Sequence, residues 1–413
     1  MRSEDLIYEW SSAGPSAPIT GTTVELMDET LRDGLQSSSV IDPPIEDKIK
    51  LMHLMESLGV DCVNVGLPGA GLAATKAADT LVREIVRADL NIEPVCAGRT
   101  LIQDVEPIVK ISQDHGRPVM AYLFLGSSPI RMFVENWDLK KLIAVSRSAI
   151  EYARGEGLEV CFVTEDTTRS DPETLRPLFL EALDAGASRL CLCDTTGSAC
   201  PSAVTNLIRF THEVVAEFGG EVGLDWHGHR DRGLSLINAL TAMAEGVPRI
   251  HGTALGIGER CGNTPMDHLL VNLKLLGVRN GDLTRLLEYV NLAHESIQAP
   301  LPLNYPMLGR DAFSTATGVH AAAVIKALAS GDEWLVDRVY SGVPASWMGR
   351  AQRIEVGPMS GASNVRYWLK QEGFRVEQYV VDAVLKAAKQ SDRLLTWDEI
   401  VSIVEQLPSM EPK

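Results

Sequence analysis

Residues 158–193 begin with Leu158-Glu-Val-Cys-Phe-Val163, followed by Thr-Glu165-Asp-Thr-Thr-Arg169-Ser-Asp171. They continue as Pro172-Glu-Thr-Leu-Arg-Pro-Leu-Phe-Leu-Glu-Ala-Leu-Asp-Ala185 and, after Gly186-Ala-Ser188, end in Arg189-Leu-Cys-Leu-Cys193. Two short apolar runs bracket a longer amphipathic one. Asp171 stands ahead of a first-turn proline, the arrangement that starts a helix, and Gly186 stands where that helix should stop. The stretch is one strand–helix–strand unit, with polar residues Glu165 to Arg169 collected just past the first strand's end.

The same rhythm extends both ways. Strands are expected at Val24–Asp28, Asp61–Gly66, Glu93–Cys96, Val119–Leu125, Leu158–Val163, Arg189–Cys193, Gly223–His227 and Arg249–Thr253. Helical patterns follow them, among them Ile45–Leu58, Pro172–Ala185, Pro201–Phe218 and Leu234–Ala244, with Gly59 and Gly157 as further stops. Such alternation means a (βα)8 barrel or a doubly wound sheet. The glycines of Gly256-Ile-Gly258-Glu-Arg-Cys-Gly262 do not make a dinucleotide fingerprint, because they follow the last strand and the third comes one residue late. Eight pairs select the α/β class, a (βα)8 TIM barrel over 22–298. An N-terminal extension at 1–21 precedes it and a small, mainly helical C-terminal appendage at 299–413 follows. In the appendage Ala299-Pro-Leu-Pro302 and Asn304-Tyr-Pro306 form a stiff connector, and two helical segments flank Val356–Gly361.

Composition narrows the function. Of 413 residues 45% are hydrophobic, ample for a large core, which excludes a disordered chain. Lys and Arg number 38 against 55 Asp and Glu, so the net charge of −17 argues against a partner bound through nucleic-acid phosphates. Seven scattered cysteines are odd in number and suit reduced thiols, not a disulfide framework. Cys191 and Cys193 share a strand face, with no second pair to complete a zinc site. The polar first 22 residues do not read as a signal peptide, and no apolar run approaches the ~18 to 20 residues of a membrane span. A cytoplasmic protein with neither nucleic-acid nor membrane partner is expected.

In a parallel barrel, functional side chains gather where strands end at the C-terminal rim. Four strand ends here are polar: Asp28–Gln36, Glu165–Arg169, His227–Asp231 and Gly256–Asn263. His227 and His229, two apart on extended chain, project the same way and make a two-point metal grip. Asp33 and Asn263, from neighbouring strand ends, complete a set of two nitrogens and two oxygens.

Together Asp28–Gln36, the His-x-His at 227–229 and Gly256–Asn263 resemble the metal-dependent Claisen-condensing barrel family. It includes 2-isopropylmalate, homocitrate and citramalate synthases, with hydroxymethylglutaryl-CoA lyase as a more distant relative. The resemblance extends to Gly318-Val-His320 and the Gly357–Gly361 loop. It implies a divalent metal ion (zinc, manganese or magnesium) on Asp33, His227, His229 and Asn263, and acetyl-CoA as co-substrate. Arg32 would bind the ketone oxygen of a 2-oxo acid and Thr195 its carboxylate, with Gln36 beside them. Glu165 and His320 would handle the proton of the acetyl methyl group, assisted by Tyr340. Val95, Tyr122, Val163 and Cys193 would line the pocket for the acid's tail. A homodimer is implied, in which the appendage reaches the partner's barrel mouth.

The chain is most like a short 2-isopropylmalate synthase, condensing acetyl-CoA with 2-oxoisovalerate. The alternatives are another oxo acid (pyruvate, 2-oxoglutarate or an aromatic one) or lyase-like cleavage. Homocitrate synthases place arginine and serine on strand five to meet a distal carboxylate, where this chain has Cys161 and Val163. The chain departs from the family pattern at three further places. Asn64, in Val63-Asn-Val-Gly66, stands where most relatives carry glutamate. Ala321-Ala322 replaces Asp-Gly, and Met359 stands where histidine is frequent. The sequence stops at Lys413, without the stretch that forms a regulatory domain in larger isopropylmalate synthases, so leucine is not expected to inhibit.

Overall fold

The computed structural model describes residues 6–8, 10 and 23–408, which leaves nearly all of the expected 1–21 extension outside the described residues. Eight parallel strands close into a barrel in sequence order: β1 (Glu25–Asp28), β2 (Cys62–Asn64), β3 (Glu93–Arg99), β4 (Met120–Gly126), β5 (Val160–Glu165), β6 (Arg189–Asp194), β7 (Gly223–Gly228) and β8 (Arg249–Gly252). β1 pairs with β2 on one side and β8 on the other. All eight expected strands are present. β3 and β5 run further than hydropathy indicates, because pairing with β4 aligns Arg99 with Phe124 and Glu165 with Gly126. Cross-strand hydrogen bonding draws polar residues into strands that an apolar count ends early.

The strands are buried on both faces, as parallel strands wrapped by helices must be. Met27, Cys62, Val95, Tyr122, Cys161, Cys191 and Cys193 meet inside the barrel as one cluster. The helices start where the sequence places caps. Asp171 accepts a hydrogen bond from Thr174 N at 2.8 Å to open Pro172–Asp184, and Gly186 leaves that helix at φ 107°.

From Leu301 onward the chain belongs to a second compact unit. Its helices are Gly318–Ser330, Glu333–Arg338, Ala362–Gln371, Gln378–Gln390 and Trp397–Glu405. β9 (Ser314–Thr315) and β10 (Arg353–Ile354) add a short parallel pair. Five helices replace the two expected segments, because local stops such as Gly331 and Gly373, both at positive φ, divide the apolar pattern. The unit has its own core, including Val356, Leu369, Val380, Val384 and Ile400. The Val356–Gly361 loop is held by Ser360 Oγ, which accepts from Gly357 N, and by Asn364, whose amide donates to Ala316 O and Glu355 O. Among the described residues no helix is long and apolar enough to cross a membrane.

Candidate active site

β1 delivers its residues through a tight turn. Asp28 Oδ1 accepts from Thr30 N at 2.8 Å, and Thr30 Oγ1 accepts from Ala254 N at 2.8 Å, stitching the turn to the end of β8. Arg32 and Asp33 are thereby set over the barrel mouth. On β7, His227 is in the strand and His229 just past it, bridged antiparallel to Asn263. The turn that carries Asn263 explains its glycines. Gly258 and Gly262 have φ of 150° and 97°, and a Cβ on Gly262 would stand 1.9 Å from Gly256 O. These glycines let the backbone double back on itself, which no other residue could do.

The Nε2 atoms of His227 and His229 lie 3.8 and 3.9 Å from Asp33 Oδ2. Asn263 donates from Nδ2 to Asp33 Oδ2 at 2.5 Å and to Ile257 O at 3.0 Å. Its Oδ1 is buried with no hydrogen-bond partner among the described residues. Burial, against the pull of Asp33, pushes His227 down to about 3, and burial lowers His229 too, so both imidazoles are neutral at pH 7. Burial would raise Asp33, but Arg32 and the two histidines outweigh it and hold the carboxyl below its ordinary value. Two neutral imidazoles, a carboxylate and an orphaned amide oxygen are the donors a divalent cation takes, and they fit one here. Glu29, His227 and His251 also converge within 4.8 Å. There Glu29 Oε2 is already engaged by Arg32 and Asn64 and His251 Nε2 by Asp225, which leaves Glu29 Oε1 and His251 Nδ1 facing each other at 3.4 Å.

Beside this centre is a cavity of about 130 Å³. Arg32, Asp33, Gln36, Tyr122, Val163, Glu165, Cys193, Thr195, His227 and His229 all line it, so the structure brings together nearly the whole set expected from the sequence. Val95 and Asn263 are not on its wall. Val95 is buried in the barrel's inner cluster, and Ala97, the next residue on that face of β3, lines the cavity instead. The strand continues to Arg99, so the rim is one inward position further along than a strand ending at Cys96 would put it. His320 and Tyr340 lie in the second unit, their rings stacked with centroids 4.3 Å apart.

Glu165 ends β5, and its carboxylate has no hydrogen-bond or ion-pair partner among the described residues. Arg169 turns instead to Asp166, with two contacts of 2.7 Å. Burial, partly offset by Arg131 and Arg32, raises Glu165 above the usual glutamate value. Thr195 Oγ1 accepts from Asp166 N at 2.8 Å, which leaves its own proton for a ligand.

Sequence reasoning missed a buried polar chain beneath the cavity. Arg249 donates to Glu25 at 2.9 Å and to Tyr122 Oη at 2.9 Å. Tyr122 donates to Asp225 Oδ2 at 2.6 Å, and His251 bonds Asp225 at 3.1 Å and faces Glu29 at 3.4 Å. Burial opposes the charged form of His251, but Asp225 and Glu29 outweigh it and raise its pKa. The Tyr122 ring is thus fixed as the cavity floor. The available signal was alternation: Asp225 with His227, and Arg249 with His251, are polar at every second position of strands that must be buried.

Fold and rim together define a (βα)8 barrel whose strand ends form a centre suited to a divalent cation. The chain belongs to the HMGL-like family, whose model matches residues 23–292, and with it to the metal-dependent Claisen-condensing barrels that its rim motifs resemble. It is 30% identical over 383 residues to the homocitrate synthase of Pyrococcus horikoshii, covering 92% of this chain and 99% of the relative. It is 27% identical over 394 residues to the 2-isopropylmalate synthase of Methanocaldococcus jannaschii, covering 93% and 71%. The crystal structure of HMG-CoA lyase from Bacillus subtilis shares the fold, with a TM-score of 0.57 at 21% identity over 68% of this chain and 96% of that one.

Proposed function

We propose that the chain is an acyltransferase that condenses acetyl-CoA with a 2-oxo acid, taking up water and releasing CoA and a 2-alkylmalate. The barrel of 22–298 would carry the centre and residues 299–413 the appendage of a cytoplasmic homodimer. The observation that carries this is the juxtaposition, in one cavity, of Asp33, His227 and His229, the Arg32 guanidinium and the unneutralised carboxylate of Glu165, with Asn263 hydrogen-bonded to Asp33 beside it.

The chain's own groups divide the work. Thr195, with its oxygen already engaged by Asp166 N, directs its proton to the oxo acid carboxylate. Three of Arg32's five N–H groups are taken by Glu29 and Asp33, leaving two for the ketone oxygen and for the alkoxide it becomes. A divalent ion on the four ligands would supply Lewis-acid polarisation of the 2-oxo group. Glu165 takes a proton from the acetyl methyl group, and the resulting carbanion forms a bond to the ketone carbon. His320 of the partner chain, assisted by Tyr340, would share with Glu165 in handling that proton, which returns to the alkoxide. Water then cleaves the thioester to a carboxylate and free CoA.

An apolar tail on the oxo acid is supported by Ala97, Tyr122, Phe124, Val163 and Cys193 on the cavity wall. His251 lines the cavity too, but its nitrogens are committed to Asp225 and Glu29. Arg131 bonds Glu135 at 3.1 Å and lines a neighbouring cavity. A distal carboxylate would therefore be buried unpaired, at a cost of several kcal/mol. This favours 2-oxoisovalerate over 2-oxoglutarate, the fit of the homocitrate synthase alignment notwithstanding. The fixed Tyr122 floor favours a short tail and makes pyruvate the second reading. A thiol assay for CoA release across a panel of 2-oxo acids tests both. Preference for 2-oxoglutarate or oxaloacetate overturns the apolar reading, and no release with any acid overturns the condensation.

A further inference from the structure

Asn64 ends β2 at the barrel mouth, and its amide meets a buried carboxylate to which the proposed condensation gives no role. That carboxylate is Glu29, just past the end of β1. It is 1% exposed, and its Oε2 accepts from Arg32 Nε at 2.9 Å, from Arg32 Nη2 at 2.6 Å and from Asn64 Nδ2 at 3.0 Å. The Asn64 side chain is itself fixed, because its Oδ1 accepts from Gly66 N at 3.2 Å. Glu29 Oε1 faces His251 Nδ1 at 3.4 Å.

We infer that Glu29, held by Asn64, is the positioning residue for Arg32. The inference rests on the proposed condensation for Arg32's role. Three features single out positioning. Both edges of the guanidinium are pinned, one by Glu29 and the other by Asp33 Oδ1 at 3.0 Å, so its plane and its two free N–H groups have one direction. The division of oxygens is clean: Asp33 gives Oδ1 to Arg32 and turns Oδ2 to His227, His229 and Asn263, whereas Glu29 Oε2 is filled by Arg32 and Asn64. Glu29 Oε2 is therefore given to Arg32 and not to a cation. The amide at 64 is also what a carboxylate at 29 requires. Two carboxylates at 3.0 Å would repel, whereas an amide donates.

The test exchanges the pair. Glu29→Gln, Asn64→Glu and the double variant Glu29→Gln/Asn64→Glu are compared with wild type by CoA-release kinetics. They are also compared by the 15Nε–H resonance of Arg32, assigned with Arg32→Lys and read without substrate. Each single variant is expected to lower kcat by about 10²-fold with KM for the oxo acid changed less than about threefold, and to broaden or shift the Arg32 signal. The double variant should regain kcat to within about tenfold of wild type and restore a sharp Nε signal, because one carboxylate and one amide again face the guanidinium. A Glu29→Gln protein with wild-type kcat and an unmoved Arg32 signal overturns the inference, as does a folded double variant no better than the singles. Should Glu29→Gln fail to fold, Asn64→Ala carries the test, with kcat down about tenfold and a broadened signal expected. Unchanged values there overturn the role of Asn64. The resonance needs no turnover, so failure of every oxo acid as substrate would defeat the proposed function while leaving the Arg32 result readable.

Discussion

The barrel mouth and the His320–Tyr340 pair hold their functional groups in opposite ways. At the mouth, Asp33, His227, His229 and Asn263 are buried, and hydrogen bonds from other strands fix their surroundings. In the C-terminal unit His320 is exposed and Tyr340 is 48% exposed, and the ring stack is their one recorded interaction among the described residues. The first group is preorganised by the fold of one chain. The second has nothing around it that packing must preserve, as suits groups that act only when a partner or substrate arrives. Substitutions in the two regions should therefore separate activity from stability differently.

The largest effect belongs to the cation ligands. His227→Ala or His229→Ala is expected to lower CoA release by about 10³-fold or more, the several kcal/mol a Lewis-acid centre supplies. Divalent metal per chain, measured by elemental analysis, should fall in parallel while circular dichroism keeps the barrel signature. Full turnover in thoroughly chelated wild-type protein would break the mouth's half of the comparison.

Glu165 comes next. Glu165→Gln should cost roughly 10² to 10⁴ in kcat with little change in KM, because a base acts on the reaction and not on ground-state binding. Burial raises the Glu165 pKa above 4.5, so the active carboxylate is lost as pH falls through that raised value. The acid limb of the kcat profile should lie above pH 4.5 and vanish in the variant. A limb at or below 4.5 would deny Glu165 the role.

How far the sequence foretold this follows from what each residue needs. Strands and caps are local properties, so the eight pairs and the Asp171 cap could be read from single segments. Asp33, Glu165, His227 and Asn263 could be read because polar side chains at strand ends have few other reasons to be there. Glu29 lay within the β1 motif but could not be assigned, since its meaning depends on Arg32 and Asn64 meeting it across two strands. Asp225, Arg249 and His251 were hidden for the same reason: a buried charge is intelligible only with its partners, and those lie on strands far apart in sequence. Val95 was misjudged by one step along β3, because barrel depth depends on strand tilt and register, which hydropathy does not carry.

The contrast sharpens when activity and melting are measured on the same variants. His320→Ala should lower kcat by about 10²-fold while Tm moves by no more than about 1 °C, since an exposed ring supports no core. Tyr122→Phe should do the reverse. It removes a hydroxyl that serves both Asp225 and Arg249, and is expected to cost about 1–3 kcal/mol of stability, while CoA release falls only severalfold. A His320→Ala protein that melts many degrees lower would mean that the pair is structural and not poised for chemistry.

The smallest effect concerns Asp28, the buried carboxyl at the root of the β1 turn. Burial raises it to about 6, against the hydrogen bonds it receives from Thr30 and from Tyr289 Oη. A carboxyl raised on folding binds its proton more tightly in the native state. Its stabilising contribution is thus complete below the unfolded value of 3.8 and is lost as pH rises through about 6. Glu29, Asp33 and Asp225 are lowered instead, so their contributions are already complete at the upper end of this window and fade only in stronger acid. Asp28→Asn keeps an acceptor for Tyr289 and cannot titrate. Metal-free wild type and variant should melt alike near pH 4, and the wild type should fall behind by pH 7, by roughly 3 kcal/mol at most. At about 2 °C per kcal/mol for a domain this large, the gap is a few degrees in Tm. Parallel melting curves from pH 4 to 7 would mean that Asp28 stays ionised throughout, and that the mouth tolerates one more buried negative charge than its geometry indicates.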